Sequence, residues 1–265
     1  MIRNGKLALE HGQMDYIRFG SGARVLVMLP GLGDGLKAVK GTALPMAGMY
    51  RQFVKNRTVY AFSRREPLAE GMTTRDMAAD QAKAKELLGN GRADILGVSM
   101  GGMIAQWLAI AHPHRVGKLI LTVTSPGKNP LLEESIQEWI ALAEQGDHAG
   151  FTDSNLRRIY SPAYYRKNIR MTPLGGALTK PKSYGRFFIQ AKACLTHDAL
   201  GALEKIQAKT LVIGGEMDNT LGGDPSRAIA AAIPNATLKM YPRGGHGLFD
   251  EEKDFQKIVL DFLLK

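Results

Sequence analysis

Residues 94–107, Asp-Ile-Leu-Gly-Val-Ser-Met-Gly-Gly-Met-Ile-Ala-Gln-Trp, leave the chain few ways to fold. Ile95 and Leu96 make a short apolar run, apolar residues recur at helical spacing from Met103 onward, and Gly97 and Gly101 bracket Ser99 between them. A strand that passes into a helix through so short a segment turns sharply, and its two backbones run so close that flanking side chains have to be small. The pattern is G-x-S-x-G, and it puts the Ser99 hydroxyl at the tip of the turn. The helix that follows aims unpaired N–H groups and the positive end of its dipole at the same point, which favours negative charge developing there. Ser99 is therefore a candidate nucleophile. An ordinary Gly/Ser turn would carry the same five residues, so the decision rests on what the rest of the chain brings to that point.

The flanking sequence alternates between strand and helix patterns. Leu7–Glu10 and Tyr16–Phe19 flank His11–Asp15 as an edge hairpin. Val25-Leu26-Val27-Met28-Leu29 is a continuous apolar run of the kind buried on both faces of a parallel sheet, and it ends in Pro30-Gly31-Leu32-Gly33-Asp34-Gly35. That loop lacks the G-K-[ST] ending and the G-x-G-x-x-G spacing of nucleotide-binding loops. Further strands are expected at Thr58–Phe62, Lys118–Val123, Thr210–Gly215 and Ala236–Tyr241. Helices are expected at Ala43–Val54, from the Thr73 cap to Leu88, at Pro225–Ile233 with Asp224 as cap, and at Glu252–Leu263. Ser63–Pro67 reads as a solvated basic turn. The alternation implies an α/β fold: a mainly parallel sheet with helices on both faces, formed by residues 1–124 and 204–265.

Residues 125–203 break the rhythm. They show helical patches at Glu133–Glu144 and Tyr184–Leu195, a Pro/Gly-rich interruption at Thr172–Gly176 and no strand pattern. The stretch is too long for a simple connection and reads as a helical cap inserted over the carboxyl edge of the sheet. Its aromatics, Trp139, Phe151, Tyr160, Tyr164, Tyr165, Phe187 and Phe188, either line a substrate pocket or form the insertion's own core.

Composition removes several classes of function. An apolar fraction of 45% over 265 residues supports a real core. The single cysteine, Cys194, forms no internal disulfide and reads as packing. No apolar stretch approaches the ~20 residues of a membrane span, and Met1–Glu10 lacks the apolar run of a signal peptide, so a soluble cytoplasmic protein is expected, with no membrane partner. The net charge of +10 is spread along the chain without interleaved aromatics, which argues for a solvated basic surface and against a nucleic-acid partner. His112 and His114 show metal-like H-x-H spacing. Further ligands at suitable spacing are missing, and no metal or other cofactor is expected.

Three reactive side chains share one address. Ser99, Asp218 and His246 each fall just past the carboxyl end of an expected parallel strand, the edge where open α/β sheets place ligands. A serine hydroxyl is a weak nucleophile at neutral pH, and an imidazole can take its proton and return it to a leaving group. His246 is the candidate general base and acid, and Asp218 the group that orients its ring. Glu216 competes for that role, but Asp218 leaves the longer turn after the strand. Two backbone donors are needed for a tetrahedral oxyanion, and the amides of Met100 and Leu32 are the candidates.

Leu29-Pro30-Gly31-Leu32-Gly33, Gly97-Val98-Ser99-Met100-Gly101-Gly102, Gly215-Glu216-Met217-Asp218 and Gly245-His246-Gly247 together resemble the α/β-hydrolase superfamily over nearly the full chain. The order Ser, Asp, His matches that superfamily. Gly97–Leu108 and His112–Val116 are similar to small bacterial esterases and lactonases related to 3-oxoadipate enol-lactonase. Pro30 stands where many relatives have His, and Phe62-Ser63-Arg64-Arg65 replaces their usual D-x-R-G-x-G. The resemblance implies cofactor-free hydrolysis of a small acyl ester or lactone through an acyl-enzyme. Carbon–carbon bond hydrolysis or acyl transfer on the same three residues is the alternative within enzymes. A non-catalytic ligand receptor is the alternative outside them. Substrate-binding residues and oligomeric state stay open at this point.

Overall fold

Apolar runs without alternation pack on both sides, and the sheet is built from them. The structure is a computed structural model that describes residues 2–169 and 180–265; the Thr172–Gly176 interruption lies outside the described residues. Eight strands, β1 (Arg3–Leu9), β2 (Gly12–Gly20), β3 (Arg24–Leu29), β4 (Arg57–Glu66), β5 (Ala93–Val98), β6 (Val116–Thr122), β7 (Lys209–Gly215) and β8 (Ala236–Tyr241), form one sheet in the order β1-β2-β4-β3-β5-β6-β7-β8. β1, β2 and β4 pair antiparallel, and every later pair is parallel. Leu26, Met28, Leu96, Ile120, Leu211 and Ile213 enter one core cluster with the helices α1 (Ala43–Met49) and Phe255–Leu264. Val27, Leu29, Ile95, Leu119, Leu121 and Val212 enter the other with α2 (Thr74–Leu87) and α3 (Met100–Ala111). Alternate residues of each strand thus serve opposite layers, as a sheet covered on both faces requires.

The register sets where the loops emerge. Leu29, Gly97, Leu121, Val212 and Leu238 pair in one lateral row across β3, β5, β6, β7 and β8. Ser99, Asp218 and His246 follow that row at the same edge of the sheet.

Several expectations are corrected. Gly12–Asp15 belongs to β2, so the hairpin turn is only Glu10-His11. The first helix ends at Met49, and a separate 3₁₀ turn covers Phe53–Lys55. Ser63–Glu66 is no solvated turn: β4 continues through it, pairing Arg65 with Met14 and Glu66 with Gln13. Ser63 and Arg64 are buried there, with the Ser63 hydroxyl accepting from the Val39 amide and the Arg64 amide donating to Asp34 Oδ2. Asp224 makes no side-chain cap; it lies in the first turn of Asp224–Ala232, and Gly223 is the N-cap residue. The Thr73 cap is as expected, with a capping box to Asp76.

Between β6 and β7 stand α4 (Pro130–Glu144), α5 (His148–Ile159) and the helix Gly185–Leu195. The sequence pattern missed α5, whose polar run His148–Ile159 has few apolar residues to mark a period. The two ends of the segment meet: Gly127 bridges Asp198, and the Ala199 amide donates to Pro126 O at 2.7 Å. His197 sits in that neck, buried, with Nδ1 2.8 Å from Thr74 Oγ1 on α2 and Nε2 3.4 Å from Gln106 Oε1 on α3.

Burial pushes the His197 imidazole down to about 4, against the smaller opposing effects of Asp198 and a backbone bond at Ser125. In the unfolded chain the ring takes its proton near the ordinary value of 6.5, so between those two pH values the unfolded state holds the extra proton. Stability contributed by the neutral ring is complete above pH ~6.5 and is lost as pH falls through ~4, by about 3 kcal/mol in all. Urea titrations at pH 7.5 and 4 should therefore show a loss of stability that His197→Gln reduces by about that amount; an unchanged loss in the variant refutes the assignment.

Candidate active site

Ser99 adopts φ 53° and ψ −124°, a conformation that residues with a Cβ rarely take. The surrounding backbone holds it there. Its amide donates to Thr122 O at 2.9 Å, and its carbonyl accepts from Gly102 N at 2.8 Å and Thr124 Oγ1 at 2.7 Å. The first turn of α3 crosses the end of β3 so closely that a Cβ on Gly101 would lie 1.9 Å from Leu29 O, and one on Gly97 2.6 Å from Gly101 O. Val123, at φ 41°, is a second strained residue at this edge; its amide donates to Ile213 O at 2.8 Å.

The loops after β7 and β8 cross as tightly. Glu216 N donates to Tyr241 O and Met217 N to Gly244 O, both at 3.0 Å, and a Cβ on Gly215 would meet Gly244 O at 2.1 Å. This crossing sets Asp218 beside His246. Asp218 Oδ2 lies 2.8 Å from His246 Nδ1, while Oδ1 accepts from the amides of Thr220 at 2.8 Å and Leu221 at 2.9 Å. His246 Nε2 lies 2.9 Å from Ser99 Oγ. A carboxylate only accepts, so in the neutral ring Nδ1 carries the proton, and Nε2 is left to accept the Ser99 proton. Asp218 and His246 are buried. Glu216 is exposed and turned away. It hydrogen-bonds Arg227, which holds its carboxyl below the usual range.

Leu32 opens a 3₁₀ turn, Leu32–Gly35, and Met100 opens α3. Opening amides have no partner within their own turn. Gly31 packs directly on the Ser99 side chain: a Cβ there would be 3.3 Å from Ser99 Cβ. The loop is tied from behind by residues whose position the sequence did not reveal. Arg64 Nη2 donates to Pro30 O at 2.6 Å. Arg186, on the helix Gly185–Leu195, donates to Asp34 Oδ2 at 2.6 Å, to Asp34 O at 3.0 Å and to Glu66 Oε2 at 2.6 Å. Burial lowers the Arg64 guanidinium from its ordinary value, opposed by Asp34.

A cavity of about 240 Å³ opens on Ser99 and His246, below the ~300–1,000 Å³ common for small-molecule sites. Its wall is mostly apolar, including Leu36, Trp139, Phe151, Phe187 and Phe249. Of the aromatics marked in the sequence, Trp139, Phe151 and Phe187 line it, whereas Tyr160 and Tyr164 stack on each other with centroids 5.0 Å apart. A larger hollow of 610 Å³ at Ser125–Asn129 and Leu195–Asp198 contains none of Ser99, Asp218 and His246. Cys194 is buried, and burial pushes its thiol up to about 12. The rings of His112 and His114 are 6.4 Å apart, and among the described residues no group of three His, Cys, Asp or Glu could hold a metal ion. Nor is any helix among them long and apolar enough to cross a membrane.

The family model of the alpha/beta hydrolase fold matches residues 24–253, and the chain belongs to that family. Over 275 aligned residues, covering 99% of this chain and 94% of the relative, it is 29% identical to the 2-hydroxy-6-oxononadienedioate/2-hydroxy-6-oxononatrienedioate hydrolase 2 of Pseudomonas putida. The solved structure of MGS-M2, an alpha/beta hydrolase enzyme from a Medee basin deep-sea metagenome library, superposes with a TM-score of 0.88 at 21% identity, covering 98% of both chains. The enol-lactonase of Burkholderia xenovorans LB400 gives 0.80 at 20% identity, over 98% of this chain and 100% of that one. At such identities the two structures establish the shared fold.

The crossing of α3 over β3 is testable through stability alone. Gly101→Ala drives a methyl into the Leu29 carbonyl with backbone on both sides, and should destabilise the protein by about 3 kcal/mol or more. Gly91→Ala, with nothing within 4 Å of the added carbon, should stay within about 0.5 kcal/mol of the parent. Chemical denaturation of the two variants makes the comparison.

Proposed function

We propose that the chain is a serine hydrolase that cleaves a carboxylic ester or lactone with a small, uncharged acyl group, through an acyl-enzyme on Ser99. One observation carries the reading: the chain of contacts Ser99 Oγ–His246 Nε2 at 2.9 Å and His246 Nδ1–Asp218 Oδ2 at 2.8 Å ends on a mostly apolar cavity. Ser99 Oγ attacks the acyl carbon as its proton passes to His246 Nε2. The oxyanion lies between the amides of Met100 and Leu32, each worth about 3 kcal/mol in the transition state. Collapse breaks the bond to the alkoxide oxygen, which takes the proton from His246 and leaves as the alcohol. Water, losing its proton to His246, then attacks the acyl-enzyme and releases the acid. Asp218 fixes the ring and stabilises the imidazolium. The helices between β6 and β7 are the lid that supplies the apolar wall.

The name of the Pseudomonas putida relative favours a second reading, hydrolysis of a carbon–carbon bond in a dioate. Against a dioate stands the charge of the wall: among the described residues lining the cavity there is no Lys or Arg. A carboxylate buried there without a cation would lose its hydration uncompensated.

Wild-type protein should turn over p-nitrophenyl butyrate and be labelled by a fluorophosphonate. Ser99→Ala should lose labelling and at least about 10⁴-fold in kcat, and Asp218→Asn about 10⁴-fold, whereas Glu216→Gln should behave as wild type. Labelling that survives Ser99→Ala sinks the nucleophile assignment. Assays of 2-hydroxy-6-oxononadienedioate alongside the ester separate the two readings, with the ester expected to be the better substrate; the reverse order would favour the carbon–carbon reading.

A further inference from the structure

The face that α5 turns to Ser99 consists of Phe151, Asn155 and Ile159, spaced by four and hence on one side of the helix. Phe151 and Ile159 suit an apolar chamber. Asn155, between them, does not. Its carboxamide offers two N–H donors and a carbonyl acceptor, and it has no partner among the described residues. Asn is a poorer helix former than Leu or Met, so its presence at this position does nothing for α5 itself. Trp139, on α4, forms part of the same wall, but its indole Nε1–H has essentially no accessible surface and so does not face the cavity. Asn155 is half-buried, and besides Ser99, His246 and the Trp139 indole it is the one polar side chain among the described residues lining the cavity, so its carboxamide is placed to bond a polar group of a bound acyl chain.

We infer that the acyl group of the substrate carries a second oxygen, a ketone or a hydroxyl a few bonds from the scissile carbonyl, and that Asn155 recognises it. A ketone accepts from the Asn155 amide; a hydroxyl also donates to Asn155 Oδ1. A second carboxylate is excluded by the same lack of a cation that disfavours a dioate. The inference rests on the Ser99 acyl-enzyme reading and narrows it to oxygenated acyl groups. A site built to hydrogen-bond an oxygen discriminates strongly against the analogue lacking it, because its polar groups are then left unpaired.

The test compares kcat/KM for p-nitrophenyl pentanoate with its 3-hydroxy and 4-oxo counterparts, in wild type, Asn155→Leu and Trp139→Phe. Wild type should prefer at least one oxygenated ester by about tenfold or more, and Asn155→Leu should bring that ratio to about one, chiefly through KM. Trp139→Phe should leave the ratio close to that of wild type. Fluorophosphonate labelling of every variant reports the fold and the nucleophile separately, so failure of the Ser99 reading appears as lost labelling in wild type. A wild type that labels but prefers plain pentanoate overturns the inference, as does an Asn155→Leu variant that labels and loses both esters equally.

Discussion

The approach of the α3 first turn to the end of β3 is the constraint on which the rest of the site depends. Gly101 can sit against Leu29 O only without a side chain, and that contact forces Ser99 into its positive φ. Strain of that kind costs of order 1–3 kcal/mol and persists only where neighbours over-determine it. Here the neighbours are backbone and Thr124: bonds from Ser99 N to Thr122 O, from Gly102 N to Ser99 O and from Thr124 Oγ1 to Ser99 O tie the turn to β6. Because β6 is also the partner of β7, the strand that leads to Asp218, both Ser99 and Asp218 are referenced to the same sheet row.

Polar bonds fasten the helical segment to that edge at several places. Gly247 N donates to Ile159 O at 2.6 Å, joining the His246 loop to the end of α5. Tyr160 OH donates to Asp250 Oδ2 at 2.9 Å just beyond it. Arg186 reaches from the helix Gly185–Leu195 to Asp34 and the end of β4. The buried carboxylate of Asp34 collects Arg186 and the Arg64 amide, while the Arg64 guanidinium holds Pro30 O. The loop bearing Leu32 is thereby clamped through Pro30 O and Asp34.

What the sequence disclosed follows from range of interaction. The elbow, the β3 strand and the strand ends before Asp218 and His246 are local patterns of glycine and apolar residues, and they were legible. The choice between Asp218 and Glu216 was weaker in the sequence; the crossing of the β7 and β8 loops at Gly215 and Gly244 separates them, and that is a contact between distant segments. Ser63 and Arg64 looked solvated because their polarity was visible and their partners, Val39 and Asp34, were not. Asn155 was hidden for a further reason. Its helix is polar on most of its surface, and only the position of Ser99 shows which stripe faces inward.

This division bears on how far relatives inform on the substrate. Sheet register and elbow geometry define the fold, and at 20–21% identity they superpose on hydrolases of varied description. Much of the cavity wall comes from α4, α5 and the helix Gly185–Leu195, which lie outside the sheet and share its hydrophobic core through Leu132, Ile136 and Ala191. A single substitution there changes the charge or hydrogen-bonding character of the cavity without disturbing Ser99, His246 or Asp218. Wall residues such as Phe151, Asn155 and Trp139 give the cavity its character. A cavity without Lys or Arg among its described lining residues therefore counts for more, in deciding whether a dioate fits, than does a relative's name at 29% identity.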